Sequence, residues 1–535
     1  MADAQMKNAF FLGLDSSTQS LKAVLIDSSF RVQGETAVNF DRDLPRFGTE
    51  GGVHRHADGL TVTSPALMWV AALDLLLDRM RDGRWPLNRV AAVSGSGQQH
   101  GSVWLVRGAR QVLNRLDPGL PLEKQLEGIF ALRDSPVWMD SSTTAECRER
   151  EEKMGGAQRV ADITGSRAYE RFTGNQIAKI FKRQPDVYGK TERIALVSSF
   201  MASLLTGDYA PIDMSDGSGM NLLDIRRRAW DRLAMDVTSP NLAEKLGEPS
   251  PSHAVVGRIH GRYAKAYSFS PNCFVIAFSG DNPCSLAGLR LQKVNDAAIS
   301  MGTSDTMFAS IGTPRPSGEE GHIFVNPVDP EAYMAMLCIK NGSLTREYVR
   351  DMAASGSWDE FNRKLESTPP GNNGNIGFYI REPEITPPIL KTGVYRFDGA
   401  GRSVEAFDPA AETRAVVEGQ FLAMRLHARK IGISAEKILA TGGASSNRSI
   451  LKVMADVFGV PVYVAEQANS AALGAACRAF HGWLCAMKGS FVPFAAAMEG
   501  APEFQMAFRP EPAAHRTYDA MLERYEELEK RIPKK

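Results

Sequence analysis

Two similar arrangements of apolar runs and polar turns, one near the start of the chain and one in its second half, constrain the fold most. In the first, the polar residues 15–20 lie between two short apolar runs rich in β-forming residues, a pattern typical of a β-hairpin. In the second, residues 301–306 (Met-Gly-Thr-Ser-Asp-Thr) lie between two runs of the same kind. The repetition predicts two similar domains, each of which opens with a hairpin.

Apolar spacing indicates how strands and helices alternate after each hairpin. It predicts helices over residues 191–205, where Gly207 would end the helix, and over residues 411–426. Between residues 438 and 458, a short strand precedes a further helix. Such alternation indicates α/β layers, and a chain of 535 residues is long enough for two domains. We place the boundary after residue 290, which gives domains 1–290 and 291–535.

The charge balance argues against nucleic acid and membrane surfaces as partners. The chain has 62 Lys plus Arg and 62 Asp plus Glu, without a long basic block. Its uncharged apolar runs are too short for a signal peptide or a membrane-spanning helix. The six cysteines are scattered without a CxxC pair, which favours reduced thiols in the cytosol over a disulfide framework or a zinc site. We therefore expect a cytoplasmic protein.

The first hairpin turn holds a carboxylate followed by hydroxyl side chains. Asp15 ends an apolar run and precedes three hydroxyl residues, the last of which is Thr18. A carboxylate here can hold Mg²⁺ through water while hydroxyls and backbone N–H groups meet phosphate oxygens. An Asp in a hairpin turn can equally satisfy only its local backbone. The second turn, with Gly302 and Thr303, favours the first interpretation, because two such turns can hold one polyphosphate.

A second candidate carboxylate, Asp281, follows the apolar residues 274–278 near the predicted domain boundary. A carboxylate at the carboxyl end of a strand suits a base that orients an attacking hydroxyl. The structural alternative is that Asn282 caps a following helix, but such a cap does not need Asp281. His100 and Arg171 lie beside glycine-containing turns, where they suit either a polyhydroxylated ligand or the protein's own packing.

Residues 441–447 (Thr-Gly-Gly-Ala-Ser-Ser-Asn) join a predicted strand to a predicted helix. Glycines at such a junction, here Gly442 and Gly443, let the backbone approach a nucleotide closely, although a Gly-Gly pair is also common in ordinary turns. The chain contains neither the GxxxxGK[ST] of a P-loop nor a GxGxxG between a strand and a helix. These absences exclude a P-loop cradle and argue against a Rossmann dehydrogenase.

Together these motifs resemble those of the FGGY carbohydrate kinases, over nearly the whole chain. The resemblance rests on six segments: GLDSSTQ (13–19), GQQHG (97–101), VWMD (137–140), GDNP (280–283), SMGTSDT (300–306) and TGGASSN (441–447). Two further segments, FGTEGGVH (47–54) and residues 165–176, are similar to the branch of the family that acts on D-xylulose. One difference is that Ser16-Ser17 stands where many members have Gly-Thr.

The resemblance implies an α/β fold of two actin-like domains of the ribonuclease H type around a deep cleft, with sugar and base in the first domain and ATP in the second. It implies ATP-dependent phosphorylation of D-xylulose to D-xylulose 5-phosphate, with Asp281 as general base. The sugar-binding residues that it implies are His100, Arg171, Asp281 and Asn282. The ATP-binding residues that it implies are Asp15, which would also hold Mg²⁺ through water, Thr18, Gly302, Thr303, Gly442, Gly443, Asn447 and Trp358, which would stack on adenine.

Two alternatives stay open on the sequence alone. One is a kinase for another small ketose or polyol, such as ribulose or glycerol, and the other is an actin- or chaperone-like ATPase that acts on a protein partner. The GQQHG segment and the segment that holds Arg171 favour xylulose. Asp281 among sugar-type motifs counts against the ATPase. A monomer and a homodimer are equally compatible with the sequence.

Overall fold

The structure, a computed structural model, describes residues 8–465 and 469–534. The chain divides into two compact units, each of which is discontinuous in sequence. Unit 1 contains the chain up to Gln292, Phe324–Tyr333 and Asn469–Pro502. Unit 2 contains Lys293–Ile323, the described residues of Met334–Ala468, and those from Glu503 onward. The first change of unit, after Gln292, lies close to the boundary that we place after residue 290.

The strands are, in chain order, β1 (Phe10–Ser16), β2 (Ser20–Asp27), β3 (Val32–Asn39), β4 (His54–Arg55), β5 (Val62–Pro65), β6 (Val90–Gly97), β7 (Ser102–Val106), β8 (Phe130–Leu132), β9 (Asp134–Pro136), β10 (Thr191–Leu196), β11 (Leu223–Asp224), β12 (Ala229–Trp230), β13 (Val255–Arg258), β14 (Phe274–Ile276), β15 (Ser279–Gly280), β16 (Asp296–Met301), β17 (Asp305–Ile311), β18 (His322–Val325), β19 (Tyr333–Ile339), β20 (Ile376–Ile380), β21 (Glu384–Ile385), β22 (Pro388–Ile389), β23 (Gly393–Phe397), β24 (Ser403–Val404), β25 (Lys437–Thr441), β26 (Val462–Val464) and β27 (Gln505–Phe508).

The α-helices are, in the same order, α1 (Phe40–Asp43), α2 (Ala66–Asp82), α3 (Ala109–Leu113), α4 (Leu122–Leu126), α5 (Thr144–Met154), α6 (Ala157–Thr164), α7 (Thr173–Arg183), α8 (Pro185–Lys190), α9 (Val197–Thr206), α10 (Met214–Gly217), α11 (Arg232–Asp236), α12 (Leu242–Leu246), α13 (Gly261–Tyr267), α14 (Asp281–Gly288), α15 (Ser343–Ala353), α16 (Trp358–Ser367), α17 (Pro409–Lys430), α18 (Arg448–Phe458), α19 (Ser470–Lys488), α20 (Phe494–Ala497) and α21 (Pro512–Glu529). Within the described residues, no helix is both long and apolar enough to span a membrane.

Each unit is built on a mixed sheet with the same central arrangement. In unit 1 the strand order is β13-β14-β6-β1-β2-β3, with β15 also paired to β6. In the second main sheet the order is β18-β19-β17-β16-β25-β26-β27. The central strand β1 is antiparallel to β2 and parallel to β6, and β16 is likewise antiparallel to β17 and parallel to β25. Both predicted hairpins, and their repetition, are therefore confirmed.

The helix predictions are right for residues 411–426 and for the helix that follows the short strand at residue 438, and they are wrong in two places. Residues 411–426 lie within α17, whose N-cap Asp408 accepts hydrogen bonds from the first turn. Residues 191–205 do not form one helix, because their first part pairs with β7 as strand β10 and only the second part is α9. The helix near Pro283 begins earlier than expected, with Gly280 rather than Asn282 as its N-cap, so that Asp281 is the first residue of α14.

Helix α14 packs directly against α19, both within unit 1. A Cβ atom on Gly474 would lie 1.7 Å from the backbone oxygen of Cys284, so only glycine permits this approach. A Cβ atom on Gly13 in β1 would lie 2.0 Å from the backbone oxygen of Ala472. Because α19 contacts both β1 and α14 this closely, it fixes the first turn of α14, and with it Asp281, against the central strand.

Candidate active site

Three parallel strands of unit 1 deliver the predicted sugar-site residues to one edge of the sheet. In the β1–β6 pair Asp15 lies opposite Ser96, and in the β15–β6 pair Gly280 lies opposite Gly97. The carboxyl ends of parallel strands meet at the same edge, which is the usual place for a ligand in an α/β sheet. Asp15, the loop that follows β6, and Asp281 therefore lie together.

Asp15 is buried and held by two neighbours. The hydroxyl of Ser96 donates a hydrogen bond of 2.7 Å to Oδ1, and Nζ of Lys22 lies 3.6 Å from Oδ2. Burial nevertheless raises the pKa of Asp15, and the nearby Lys22 ammonium and Ser96 hydroxyl offset this only in part. Sequence reasoning did not assign Lys22 to the site, although the hairpin register places it directly opposite Asp15.

Asp281 sits at the first position of α14 with partial access to solvent. Its carboxylate accepts hydrogen bonds from the backbone N–H groups of Asn282, at 2.9 Å, and of Gln99. Burial raises the pKa of Asp281 to about 7, and the negative charge of Asp15 acts in the same direction. A carboxylate with a pKa near neutrality is suited to general base catalysis.

Gln99 links Asp281 to Asn282. Its Oε1 accepts a hydrogen bond of 2.9 Å from Nδ2 of Asn282, while its own Nε2 has no hydrogen-bond partner among the described residues. Both polar side-chain atoms of Gln98 also have no partner within that part of the chain. Buried polar atoms are rarely left unsatisfied, so a ligand or water is expected here. The signal for both residues was the GQQHG segment, from which only His100 was singled out.

His100 and Arg171 meet at one aromatic ring. The His100 ring stacks on Phe172 with 4.5 Å between centroids, and its Nδ1 lies 2.7 Å from the backbone oxygen of Gly219. The Arg171 guanidinium lies 5.6 Å from the centroid of the same Phe172 ring and 5.0 Å from that of Tyr169. His100 also has a left-handed φ of 69°. Such backbone strain in a non-glycine residue is concentrated at functional sites.

A third carboxylate, Asp216, lies beside Asp281 and was not predicted. Burial raises its pKa to about 8, and the hydroxyl of Ser198 donates to Oδ2. Its Oδ1 has no hydrogen-bond partner among the described residues. A Cβ atom on Gly280 would lie 2.8 Å from both this Oδ1 and Nε2 of Gln99. Glycine at this position therefore lets two unpartnered polar atoms approach the backbone just before Asp281.

Thr18 lies in the turn between β1 and β2. Its Oγ1 accepts a hydrogen bond of 2.9 Å from Nε1 of Trp138, a residue of the VWMD segment. Because Thr18 is the acceptor in this bond, its own hydroxyl proton remains available to a phosphate oxygen.

Unit 2 contains a cavity of about 540 Å³. Five of the residues predicted to bind ATP line it: Gly302, Thr303, Trp358, Gly443 and Asn447. The sheet explains why two of the turns meet, since β16 and β25 are adjacent parallel strands and the turns follow their carboxyl ends. Gly442 is just behind the cavity wall, with a φ of 83° and no room for a side chain, because a Cβ atom would lie 2.5 Å from the backbone oxygen of Met301.

Helices α16 and α18 also contribute to the lining of this cavity. Trp358 is the first residue of α16, not part of an irregular loop, and its ring packs edge-on against Phe361 at 5.2 Å. Asn447 caps α18 by accepting a hydrogen bond from the backbone N–H of Ile450, and its Nδ2 donates to Asn362 in α16 at 2.9 Å. A cavity lined by both an aromatic ring and glycine-rich backbone suits a nucleobase and its sugar.

Comparison with known proteins decides the family. Residues 122–288 match the N-terminal domain of the FGGY family of carbohydrate kinases, and residues 297–483 match its C-terminal domain. The xylulose kinase of Mus musculus is 54% identical over 524 residues, 97% of this chain and 94% of the mouse protein. Xylulose kinase 2 of Arabidopsis thaliana is 50% identical over 518 residues, 94% of this chain and 92% of the plant protein. The chain belongs to the FGGY family of carbohydrate kinases.

The fold of this FGGY kinase also agrees with a solved structure. The crystal structure of xylulose kinase from Rhodospirillum rubrum aligns with a TM-score of 0.79 over 97% of this chain and 98% of that one. At 17% identity the likeness concerns the fold alone. The predicted mixed α/β, actin-like fold is confirmed, and the family identifies the protein as an ATP-dependent sugar kinase.

Proposed function

We propose that this FGGY kinase transfers the γ-phosphate of ATP to the terminal hydroxyl of D-xylulose, with D-xylulose 5-phosphate and ADP as products. The observation that carries the proposal is the pKa of about 7 at Asp281, together with the amide nitrogen of Gln99 and the amide group of Gln98, which have no hydrogen-bond partner among the described residues. A base surrounded by free hydrogen-bonding groups suits a polyhydroxylated acceptor. The choice of D-xylulose is supported by the identity to proteins named xylulose kinase.

In the sugar site, His100, Arg171 and Asn282 bind the oxygens of the ketose, and Asp281 receives the terminal hydroxyl. As the hydroxyl oxygen bonds to the γ-phosphorus, its proton passes to the Asp281 carboxylate and the bond from the γ-phosphorus to the bridging oxygen breaks, which releases ADP. The amide hydrogen bonds from Asn282 and Gln99 hold the carboxylate in place for this transfer.

On the nucleotide side, each residue has a distinct role. Gly302 and Thr303 contact phosphate oxygens, Thr303 through its backbone N–H and its hydroxyl, in the manner of a turn that forms an anion site. Trp358 stacks on adenine, and the backbone at Gly442 and Gly443 together with Asn447 contacts the nucleoside. The Thr18 hydroxyl, whose proton is free, donates to a phosphate oxygen as well.

Asp15 suits Mg²⁺ that arrives with ATP. A magnesium ion in kinases keeps several waters and takes one or two carboxylates plus substrate phosphates, and its charge neutralises the developing negative charge of phosphoryl transfer. Asp15 would supply one carboxylate to such an ion through water, and the Lys22 ammonium would add positive charge beside it. No group of three or more His, Cys, Asp or Glu side chains able to hold a metal occurs among the described residues.

We further propose a cytoplasmic location, supported by six cysteines among which the described residues form no disulfide bond. The phosphorylated product would carry a charge of about −2 at neutral pH, so a cell membrane would retain it where it is made.

The experiment that tests the function supplies purified protein with MgATP and, separately, D-xylulose, D-ribulose, glycerol or no acceptor. ADP formation is followed, and the position of the new phosphate is read by phosphorus NMR. We expect kcat/KM for D-xylulose to exceed that for the other acceptors by at least about tenfold, the scale of discrimination by a few hydrogen bonds. ATP hydrolysis that is indifferent to the acceptor would favour the protein-directed ATPase instead, and a preference for ribulose or glycerol would reassign the substrate.

A further inference from the structure

We propose that the ion pair between Asp305 and Arg346 positions the phosphate-binding turn of unit 2. The pair thereby strengthens the binding of the nucleotide's phosphates and not the binding of its base. This inference rests on the proposed ATP site and concerns two residues that are not assigned a role in it. Neither is argued to perform chemistry. Both act through the turn that holds Gly302 and Thr303.

The pair is fully buried and bidentate. Nη1 of Arg346 lies 2.5 Å from Oδ2 of Asp305, Nη2 lies 3.0 Å from Oδ1, and both side chains are 1% exposed. Asp305 begins β17 directly after the turn, and Arg346 lies in the first turn of α15. Two parallel hydrogen bonds between a guanidinium and a carboxylate fix orientation as well as distance. The pair therefore fastens the turn to the start of α15.

Further hydrogen bonds from Arg346 reach α17 and the first residue of its own helix α15. Nη1 also donates to Oε1 of Gln420 in α17 at 2.7 Å, and Nη2 to the hydroxyl of Ser343 at 2.9 Å. Gln420 in turn donates to the backbone oxygen of Gly342 at 3.1 Å. Arg346 lines the cavity, and its Nε has no hydrogen-bond partner among the described residues. The terminal NH2 groups of Arg346 thus donate to other protein groups, so Arg346 acts by positioning the turn.

The backbone contacts show what the pair controls. The backbone N–H of Ser343 donates to the backbone oxygen of Gly302 at 2.9 Å. A Cβ atom on Gly342 would lie 2.7 Å from the backbone oxygen of Thr303 and 2.8 Å from the backbone nitrogen of Asp305. The turn and the N-terminus of α15 are therefore in direct contact beside the cavity. The turn thus lies at the N-terminal end of α15, where the partial positive charge of a helix favours anions such as phosphates.

The aromatic and glycine-rich wall of the cavity, with Trp358 and Gly443, takes no part in this network of hydrogen bonds. Loss of the pair should therefore weaken the binding of phosphates and leave the binding of the base and ribose intact. A pair that only stabilises the fold would give a different result. Its loss would destabilise unit 2 as a whole and would weaken the binding of nucleosides and nucleotides alike. The ratio of ADP affinity to adenosine affinity separates these two roles.

The test measures dissociation constants for ADP and for adenosine by calorimetry with two variants. Arg346→Lys keeps the charge but loses the planar fork. The double variant Asp305→Leu with Arg346→Met removes both charges, an exchange that buried ion pairs often tolerate without loss of stability. The matched control is Arg396→Met with Glu412→Leu, a largely buried ion pair of unit 2 that does not line the cavity.

We expect both test variants to bind ADP at least about tenfold more weakly while adenosine binding changes by less than about twofold. The control double variant should keep wild-type affinity for both ligands even if its melting temperature falls. The inference is overturned if Arg346→Lys binds ADP as the wild type does, or if ADP and adenosine weaken in parallel. Wild-type protein that binds no ADP, or forms none with D-xylulose, would instead overturn the proposed function.

Discussion

The side-chain oxygen of Gln99 accepts a hydrogen bond of 2.9 Å from the side-chain amide of Asn282, the residue that follows Asp281. Asn282 Nδ2 also lies 3.2 Å from Oδ1 of Asp281. Gln99 therefore orients the amide that meets the Asp281 carboxylate and that, in our proposal, also binds the sugar. The two residues are 183 positions apart in the chain.

Replacement of Gln99 by Met keeps a similar volume and removes this acceptor. We expect KM for D-xylulose to rise by about tenfold, because the hydrogen bond that orients Asn282 toward the sugar is lost. KM for ATP should change by less than about twofold. Steady-state kinetics with each substrate varied in turn checks this. Gln125→Met, which removes an exposed amide of the same unit, is the matched control. An unchanged KM for D-xylulose would show that Gln99 does not orient Asn282 for sugar binding.

Removal of the imidazole of His100 should affect the sugar and spare the nucleotide. We choose His100→Asn, because asparagine tolerates the left-handed φ of 69° better than alanine does. We expect kcat/KM for D-xylulose to fall by about 5- to 150-fold, the effect of one or more lost hydrogen bonds to the sugar. Arg171→Ala should behave in the same way. Calorimetry with ADP provides the comparison, and a loss of ADP affinity as large as the loss for the sugar would argue for a purely structural role.

The raised pKa of Asp281 predicts how activity depends on pH. A general base works only when ionised, so kcat/KM for D-xylulose should fall about tenfold per pH unit below a midpoint near pH 7. Because the charge of Asp15 is one of the causes of the raised pKa, Asp15→Asn should move this midpoint to lower pH while lowering the maximal rate. A profile measured at saturating MgATP that stays flat from about pH 8 to about pH 5 would be incompatible with Asp281 as the base.

Trp358 supplies the complementary test on the nucleotide side. A base stacked on an aromatic ring gains about 1–3 kcal/mol, so Trp358→Ala should weaken ADP and adenosine alike by about 5- to 150-fold. Trp358→Phe, which keeps a smaller aromatic face, should recover part of the affinity. Equal weakening of ADP and adenosine binding would differ from the result expected for Arg346→Lys, which should weaken ADP binding and leave adenosine binding nearly unchanged. Normal adenosine binding by Trp358→Ala would mean that adenine lies elsewhere in the cavity.

Local patterns were enough to predict the two hairpins and the turns that follow the strands. Asp15, Asp281 and Gly302 each end a short apolar run, and an apolar run before a polar turn is visible in a single sequence. The prediction failed for residues 191–205, since residues at helical spacing also occur in β10, where pairing with β7 decides the outcome. The start of α14 was placed two residues late for a similar reason, because an Asn-Pro pair looks like a helix cap.

The supporting contacts of the site could not be predicted, because they join distant parts of the chain. Arg346 pairs with Asp305 across 41 positions of the chain. Asp216 approaches the backbone of Gly280, just before Asp281, because the fold brings these two segments together. No periodicity or motif marks either relationship. The same holds for Asn469–Pro502, which belongs to unit 1 although it follows nearly all of unit 2 in sequence. Its helix α19 carries the close glycine contacts that hold Asp281 in place.

The most direct test of the account replaces Asp281 by Asn and measures kcat, the dissociation constant of D-xylulose and the melting temperature of the same preparation. Asparagine keeps the size and much of the hydrogen bonding of the side chain but cannot accept the proton of the hydroxyl. We predict a fall in kcat of at least about a hundredfold, with sugar affinity and melting temperature close to those of the wild type. A kcat close to that of the wild type would contradict the assignment of Asp281 as the general base.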